Sequence, residues 1–423
     1  MQRRTLTTAL TAALTGYAVA GIAGPASAAG PPGGPGGSGA GAGGGNGPTG
    51  GAGSGSGAGS GAGAADQAPR LLQDGIGLYP RAIRLAHQGE ADDRLLASVV
   101  TFEGADGAEG SGAIFESTDG GATFAQVGKV FDEATQGGEG ICCATLYELP
   151  RAIGDLPEGT LLWSASVGAD APERRMTIRV WASTDLGRSW ERLAITHAAA
   201  NTGGLWEPEF ATTDDGMLVL LYCDETDAER HSQKIVLQTS TDALNWTDPV
   251  PVIELEDPTS RPGMPNVRRL PDGRWAMTYE VCGPSPTDAC RLFVRTADDP
   301  RDWGPVTARD AAIVADDGTE PRHTPTLTLD ADGSVILGSQ MHYTVDGAIS
   351  PKNGQVLLRA RNSALTGDIS WSTEPAPVPV EDSDDSPCPN YSPTFVRTST
   401  GRLLEITTAP GADGCRAWYG SRE

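Results

Sequence analysis

A pattern of apolar and polar residues recurs six times along residues 66–423 of this chain. Each copy has one residue before a proline, a few β-forming residues, a reversal at Asp-Gly or an equivalent turn, and a second apolar run. Five copies carry the proline and one has alanine instead, at positions 80, 144, 208, 265, 325 and 393. The steps of 57 to 68 residues are long enough for four short strands each. The pattern therefore predicts an all-β fold, a six-bladed β-propeller.

A second motif lies between these copies. Residues Ser117–Phe124 and Ser183–Trp190 fit the pattern Ser-x-Asp-x-Gly-x-(Ser/Thr)-aromatic, and degenerate versions follow at Ser240–Trp246, Thr296–Trp303 and Asn362–Trp371. The motif is similar to the Asp-box of sialidase-like propellers. In such a hairpin turn, Asp accepts backbone N–H bonds and Gly supplies a positive φ. We expect these segments to be structural and not catalytic.

The first 65 residues differ in composition from the rest. Residues 1–28 contain Arg3 and Arg4, an apolar stretch and a small-x-small cleavage signature that ends at Ala28, which predicts a signal peptide. Residues 29–65 are almost wholly Gly, Ala, Ser and Pro and predict a disordered linker. We expect residues 66–423 to form one catalytic domain of a secreted, monomeric protein that has no membrane association after signal cleavage.

Charge narrows the choice of partner. Without residues 1–28 the chain has 29 basic and 55 acidic residues, a net charge of −26. Nucleic acid is excluded as an expected partner because phosphate binding requires a positive surface. The negative charge also favours a neutral polysaccharide or oligosaccharide over an anionic one.

Seven cysteines in an exported chain predict disulfides. We expect the pairs Cys282–Cys290 and Cys388–Cys415 and one thiol left over, since Cys223 could join Cys142 or Cys143. The chain has no Cys-x-x-Cys pair and its five histidines are scattered, so neither a metal nor another cofactor is predicted.

The register of the repeats predicts where a site forms. In a propeller blade the first strand starts at one face of the disc and the second strand returns to it, so these strand ends surround one mouth. Candidate substrate-binding residues at these positions are Tyr79, Arg81, Trp206, Tyr222, Asn266, Tyr279, His323 and Tyr391. Some have structural alternatives, because Trp206 could be a packing residue, His323 could satisfy backbone groups and Arg81 could pair with an acid.

Glu207 and Glu280 are the candidate catalytic residues. Glycoside cleavage needs two carboxyl groups, one protonated and one ionised, on either side of the scissile bond. Burial beside Trp206 would raise the pKa of Glu207, as a general acid requires, and polar neighbours would keep Glu280 ionised as the nucleophile. The alternative is that both are solvated at the rim. Glu209 competes with Glu207, since strand alternation puts both on one side.

Several segments together resemble glycoside hydrolase family 93, the exo-acting α-L-arabinanases of the sialidase-like superfamily. They are Tyr79-Pro80-Arg81, the Asp-boxes, Trp206-Glu207-Pro208, and the run from Arg261 to Pro265 that leads to Tyr279-Glu280. The resemblance implies a retaining enzyme that removes arabinobiose from the non-reducing end of linear α-1,5-arabinan. It also implies Glu207 as the acid/base and Glu280 as the nucleophile.

Two alternatives remain open at the level of sequence. Sialidases resemble the chain too, but they clamp a sugar carboxylate with three arginines. Arg81 could be the first, whereas Arg269 and Arg359 lie at the wrong phase to be the others. A propeller that has lost one carboxylate would be a non-catalytic carbohydrate-binding protein.

The last repeat has too few residues after Pro393 for four strands. We therefore expect residues near Leu71 to Gln73 to supply its outermost strand and close the ring.

Overall fold

The computed structural model describes residues 66–104, 107–285, 287–412 and 414–423. The predicted signal peptide and linker, residues 1–65, lie outside them and stay predictions. The described residues form six antiparallel sheets, and these confirm the six-bladed β-propeller. One short helix, α1 (Glu133–Gln136), and one 3-10 turn, Gly89–Ala91, interrupt the strands. In the described part of the chain, no helix is long and apolar enough to cross a membrane.

The strands follow the blades in chain order. The first half comprises β1 (Gln67–Leu71), then β2 (Leu78–Arg84), β3 (Leu95–Glu103), β4 (Glu109–Ser117) and β5 (Ala125–Val130) of blade 1, β6 (Ile141–Glu148), β7 (Leu161–Val167), β8 (Thr177–Ser183) and β9 (Glu191–Ala198) of blade 2, and β10 (Leu205–Thr212), β11 (Leu218–Asp224), β12 (Lys234–Ser240) and β13 (Val250–Ile253) of blade 3.

The second half is less regular. It comprises β14 (Arg261–Arg269), β15 (Trp275–Cys282), β16 (Arg291–Ala297), β17 (Thr319–Arg322), β18 (Thr326–Leu329), β19 (Val335–Gly338), β20 (Met341–Thr344), β21 (Val356–Ala360), β22 (Trp371–Pro375), β23 (Thr394–Arg397), β24 (Leu403–Gly411) and β25 (Gly414–Arg422). Blade 5 has the order β18-β19-β21-β22, whereas β17 and β20 join blade 4 in the order β14-β15-β16-β17-β20. The two inner strands of blade 5 are thus each interrupted. Their segments β18 and β19 stay in blade 5, whereas β17 and β20 extend the sheet of blade 4.

The ring closes through the first strand. Blade 6 has the order β1-β25-β24-β23, with Gln67 opposite Ser421 and Leu71 opposite Trp418. The backbone N–H of Leu72 continues the pairing by donating to the carbonyl of Ala417 at 2.9 Å. The predicted closure is confirmed, although the strand lies mostly before the predicted stretch.

The hydrophobic core is divided among the interfaces between neighbouring blades. Five of the six buried clusters in the described residues join two adjacent blades, and the sixth joins blades 1 and 2 and reaches Met264 of blade 4. This sixth cluster contains Trp163 packed against Trp181 at 5.3 Å. Gly112 is required there, because a Cβ atom at this position would lie 2.5 Å from the Trp163 ring. The packed faces hold each blade at a fixed angle to the next, so the inner strand ends have fixed positions.

The Asp-boxes form turns between the third and fourth strands, as predicted. In blade 1 the hydroxyl of Ser117 donates to Asp119 at 2.8 Å, and the Asp119 carboxylate accepts from the N–H and hydroxyl of Thr123 at 2.9 and 2.6 Å. In blade 4 the turn bonds are made by Asp299 instead of Asp298, the residue that the pattern indicated. These side chains are used within their own turns.

Two of the predicted disulfides are confirmed, Cys282–Cys290 and Cys388–Cys415. The expected bond to Cys223 is wrong, because the adjacent residues Cys142 and Cys143 are joined to each other and Cys223 is free and buried. The reason is direction: the sulfur of Cys223 points to blade 4, where the backbone N–H of Met264 donates to it, whereas Cys142 and Cys143 lie in blade 2.

Candidate active site

In the inner chain of every blade, the residue directly before the proline or alanine of the repeat has a left-handed backbone. These six axial positions are Tyr79 (φ 50°), Cys143 (61°), Glu207 (57°), Met264 (55°), Thr324 (47°) and Ser392 (54°). In blades 1 to 4 the strand register shifts at this residue, so the repeated phrase is a β-bulge. A non-glycine residue in this conformation costs about 1–2 kcal/mol, and such outliers cluster at functional sites.

The bulges direct their residues to one place. The hydroxyl of Tyr79 in blade 1 lies 4.0 Å from the sulfur of Met264 in blade 4, the blade on the opposite side of the propeller axis. The backbone N–H of Ser392 in blade 6 donates to the hydroxyl of Thr324 in blade 5 at 3.0 Å. The axial positions therefore meet around the propeller axis, and we call the region that they border the central well.

Glu207 occupies the axial position of blade 3 and is half-buried. Its Oε1 accepts a hydrogen bond from the Tyr79 hydroxyl at 3.2 Å, and its Oε2 accepts one from the Cys223 thiol at 2.8 Å. Burial raises the pKa of Glu207, although the hydrogen bonds from Cys223 and Tyr79 oppose the rise. The carboxyl group is thus fixed by two side chains, one from a different blade.

Glu280 reaches the well by another route. It lies near the end of β15, opposite Gly263 of β14, and its Oε2 accepts the backbone N–H of Thr324 at 2.7 Å. Burial raises the pKa of Glu280 to about 8, and the negative charge of Glu207 adds to the rise. The expectation that polar neighbours keep Glu280 ionised is therefore wrong for the free protein, because removal from water outweighs the single N–H and the nearby charge of Arg261.

The two carboxyl groups are joined through one contact: Glu280 lies opposite Gly263, a Cβ atom at Gly263 would lie 3.6 Å from the sulfur of Cys223, and that thiol donates to Glu207. At this proximity the negative charge of one group disfavours ionisation of the other, so a proton on one favours an ionised partner. Tyr391 lies close to both groups. Burial and the charges of Glu207 and Glu280 raise its pKa. Its ring packs edge-on against Tyr79 at 5.4 Å. Two glutamates and two tyrosines therefore form the centre of the well.

The structure brings together four of the eight predicted binding residues at or beside the well: Tyr79, Trp206, His323 and Tyr391. Trp206 is half-buried, and the guanidinium of Arg174 covers its ring at 5.0 Å. His323 is half-buried, and burial lowers its pKa to about 4, so its ring is neutral. Its nitrogen lies near the sulfurs of Cys282 and Cys290, but both sulfurs are used in a disulfide and do not form a metal site with it.

Arg81 lies behind the well. It is buried, its guanidinium stacks over the Tyr79 ring at 5.5 Å, and it donates to the Pro80 carbonyl at 2.8 Å and to the Ser392 hydroxyl at 3.0 Å. Its contacts support the tyrosine that holds Glu207.

Three predicted binding residues belong to the interior instead. Tyr222 is fully buried between blades 2 and 3, where its ring stacks on His197, and Tyr279 donates its hydroxyl to Asp310. Asn266 is 1% exposed, and its Oδ1 accepts the backbone N–H of Leu327 at 2.7 Å. The tyrosines were misplaced because successive strand residues face opposite sides: Tyr222 and Tyr279 face the interior, whereas their neighbours Cys223 and Glu280 face the site.

Glu209 is structural and does not compete with Glu207. Residues two positions after the axial ones make hydrogen bonds to the next blade, and this inter-blade belt comprises Thr145, Glu209, Asn266, Thr326 and Thr394. Glu209 is 3% exposed, accepts from the Thr145 hydroxyl at 3.0 Å and forms an ion pair with Arg268. The belt fixes the spacing of the blades below the well.

Sequence reasoning missed Cys223, Met264 and Thr324. The signal was present in the strand pairing: the residue opposite the one before each bulge is Val100, Ser166, Cys223 and Glu280 in blades 1 to 4. Cys223 therefore has the same place in blade 3 that Glu280 has in blade 4. Aligning the second strands on the bulge would have identified both.

The arginines bear on the sialidase alternative. Arg269 forms an ion pair with Asp214 and Arg359 with Asp330, so both are used elsewhere, as the phase of the repeats indicated. Nearer the mouth, Arg261 pairs with Glu225 and Arg322 with Glu320. These guanidinium groups already have carboxylate partners and are not arranged to receive a sugar carboxylate.

The fold and the site define a six-bladed β-propeller with two glutamates that meet at its axial positions. The fold is similar to that of a Penicillium chrysogenum α-L-arabinanase solved with arabinobiose, at 24% identity over 85% of this chain and 98% of that chain, with a TM-score of 0.70. It is also similar to the family 93 α-L-arabinofuranosidase of Fusarium graminearum, solved with arabinobiose, at 25% identity, 85% and 96% coverage and a TM-score of 0.68.

The NanB sialidase of Streptococcus pneumoniae shares the fold more distantly, at 11% identity and a TM-score of 0.56 over 85% of this chain and 70% of that one. No family model matches the chain, and no curated protein matches it by sequence. The resemblance to glycoside hydrolase family 93 is thus confirmed at the level of the fold.

Proposed function

We propose that this protein is a secreted, retaining glycoside hydrolase that acts from the chain end on a neutral polysaccharide. Its substrate is α-1,5-L-arabinan and its product is arabinobiose. The observation that carries the proposal is that Glu207, held by Tyr79 and Cys223, and Glu280, held by the N–H of Thr324, meet at the axial positions of this fold. The arabinobiose in the two similar structures supports the choice of sugar.

The two carboxyl groups divide the work in this mechanism. Glu207 gives its proton to the leaving oxygen while Glu280 attacks the anomeric carbon, and Glu207 then accepts a proton from the water that releases the sugar. The Thr324 N–H holds one oxygen of Glu280, which leaves the other oxygen to form the glycosyl bond. The reaction requires a proton on Glu207, and the positive charge that develops on the sugar favours an ionised Glu280.

The walls of the well suit a neutral sugar. Trp206 and Tyr391 are only half-buried and pack against one hydrophobic cluster that contains Tyr79 and Met264, so these two rings supply the apolar surface on which a sugar ring can lie. The net charge of the chain and the paired arginines near the mouth both disfavour an anionic sugar.

The test is release of sugar from debranched arabinan, with product length measured by chromatography and sialyl-lactose as the competing substrate. We expect arabinobiose from arabinan and no release from sialyl-lactose. Tyr222→Phe is the matched control, because Tyr222 is buried in the core and its hydroxyl has no partner among the described residues. Cleavage of sialyl-lactose alone would identify a sialidase, and retention on an arabinan column without cleavage would identify a binding protein.

The stereochemistry is tested separately by proton NMR of the first product. A retaining enzyme releases arabinobiose in the α configuration before mutarotation, as expected for the nucleophilic role of Glu280. Initial release of the β anomer would contradict this role without affecting the choice of substrate.

A further inference from the structure

Cys223 is the one cysteine of the seven that forms no disulfide. Its side chain is fully buried in β11, opposite Trp206, and its sulfur lies between two groups of the site. The backbone N–H of Met264 donates to the sulfur at 3.1 Å, and the thiol donates to Oε2 of Glu207 at 2.8 Å. The sulfur therefore accepts from one blade and donates to a carboxyl group of another.

The equivalent position in blade 4, which Glu280 occupies, shows how this contact arises. There Glu280 accepts the N–H of Thr324, the axial residue of the next blade, as Cys223 accepts the N–H of Met264. In both blades the bulge presents a backbone donor to the side chain of the preceding second strand. Because the Met264 N–H occupies a lone pair of the sulfur, the direction of the S–H bond toward Glu207 is defined.

We propose that Cys223 is a positioning residue for Glu207. Its thiol holds Oε2 while Tyr79 holds Oε1, so the carboxyl group has one orientation relative to Glu280. A thiol is a weak hydrogen-bond donor, so it fixes the group without favouring the ionised form as strongly as a hydroxyl would. This property suits a residue that must carry a proton at the start of each cycle. The kinetic part of this inference rests on the proposed hydrolase function.

The kinetic test compares Cys223→Ala and Cys223→Ser with the wild type across pH. We expect Cys223→Ala to lower kcat about 10- to 100-fold with little change in KM, because misplacement of a catalytic group has effects of this size. The alkaline limb of the pH profile should move up in Cys223→Ala, which removes a donor to the carboxylate, and down in Cys223→Ser, which supplies a stronger one. Tyr222→Phe, one residue earlier in the same strand, should leave kcat and the limb unchanged.

If Cys223 had only a packing role, Cys223→Ala and Cys223→Ser would not shift the alkaline limb of the pH profile in opposite directions. If both variants keep the wild-type limb and kcat, the proposal is wrong. If Cys223→Ala unfolds, shown by its thermal melt, the folded serine variant decides alone through its downward shift.

A second test needs no enzymatic activity. The thiolate of Cys223 is followed by its ultraviolet absorbance as pH rises, in the wild type and in Glu207→Gln. Burial and the charge of Glu207 raise the pKa of the Cys223 thiol, so Glu207→Gln should shift its titration to lower pH. The same titration in both proteins would overturn the proposed contact. Absence of hydrolysis together with this shift would reject the hydrolase function and keep the contact.

Discussion

The two glutamates of the well are held in different ways. Glu207 lies in the left-handed backbone of a bulge and is bonded by two side chains, whereas Glu280 lies in a regular strand and is bonded by a backbone N–H. A backbone donor is retained whatever residue occupies position 324, but the two side-chain donors to Glu207 each depend on the identity of one residue. The backbone of Met264 also acts on Glu207, so its orientation depends on Tyr79 and Cys223 in addition to the propeller, whereas that of Glu280 depends on the propeller alone.

The largest expected effect separates the chemical roles of the two residues. Glu207→Gln and Glu280→Gln should each lower arabinan hydrolysis about 1,000-fold or more. The first variant loses proton transfer and the second loses the nucleophile. On an aryl arabinoside with a nitrophenol leaving group, Glu207→Gln should recover much of the rate of nitrophenol release in the first turnover, because that group leaves without protonation, whereas the second step stays slow without its base. Glu280→Gln should not recover. Recovery of Glu280→Gln alone would exchange the two roles.

Glu209 tests whether the role of Glu207 is specific, because it is only two residues away but belongs to the inter-blade belt. Glu209→Ala should lower the free energy of unfolding by about 2–3 kcal/mol, as it leaves Arg268 without its partner in a mostly buried site. Denaturant unfolding measures this loss. The folded variant should still cleave arabinan, and a loss of activity as large as that of Glu207→Gln would place Glu209 in the chemistry.

The pKa of Glu280 predicts a dependence of stability on pH. A carboxyl group whose pKa is raised on folding from about 4.5 to about 8 makes no difference below pH 4.5, where it is protonated in both states. Stability is lost as pH rises from there to about 8, because only the unfolded chain ionises freely. Glu280→Gln should thus raise the Tm relative to wild type, more at pH 8 than at pH 5.

Glu405 is the matched control for this experiment. It is buried in blade 6, where burial also raises its pKa to about 8 and the backbone N–H of Val378 donates to it. Glu405→Gln should raise the Tm with the same pH dependence and leave arabinan cleavage intact. If Glu280→Gln changes the Tm relative to wild type by the same amount at pH 5 and at pH 8, Glu280 is ionised in the folded protein.

The smallest effect sharpens the account of how Glu207 is held. Tyr79→Phe removes one of its two side-chain donors, which should raise the pKa of Glu207 and move the alkaline limb of activity upward, with kcat reduced about 3- to 10-fold. The pH profile of the purified variant gives both values. The matched Tyr279→Phe change, in a tyrosine bonded to Asp310, should move neither.

Much of the fold could be predicted from sequence because the bulge leaves a visible trace. Proline after the axial residue repeats in five of six blades, and the turn residues of the Asp-boxes mark the outer hairpins. The site was harder, since alternation along a strand changes its phase wherever a bulge inserts a residue. Glu280 was identified beside the buried Tyr279, whereas Tyr222 was chosen and its neighbour Cys223 was missed.

Other features depend on three-dimensional direction and have no local signal. The sequence does not reveal that the sulfur of Cys223 points to blade 4, so the pairing of Cys142 with Cys143 was not foreseen. The pKa of Glu280 depends on how much water the closed ring removes, which no sequence pattern records.

The place of β1 in the last blade has a consequence for biosynthesis. Gln67–Leu71 is among the first parts of the described chain to be synthesised, but its partner β25 (Gly414–Arg422) is the last. A nascent polypeptide can stack its early blades one on another, yet the circle of interfaces stays incomplete until β25 has been synthesised. We expect shortened chains that lack β25 to be sensitive to protease at both edges of the gap.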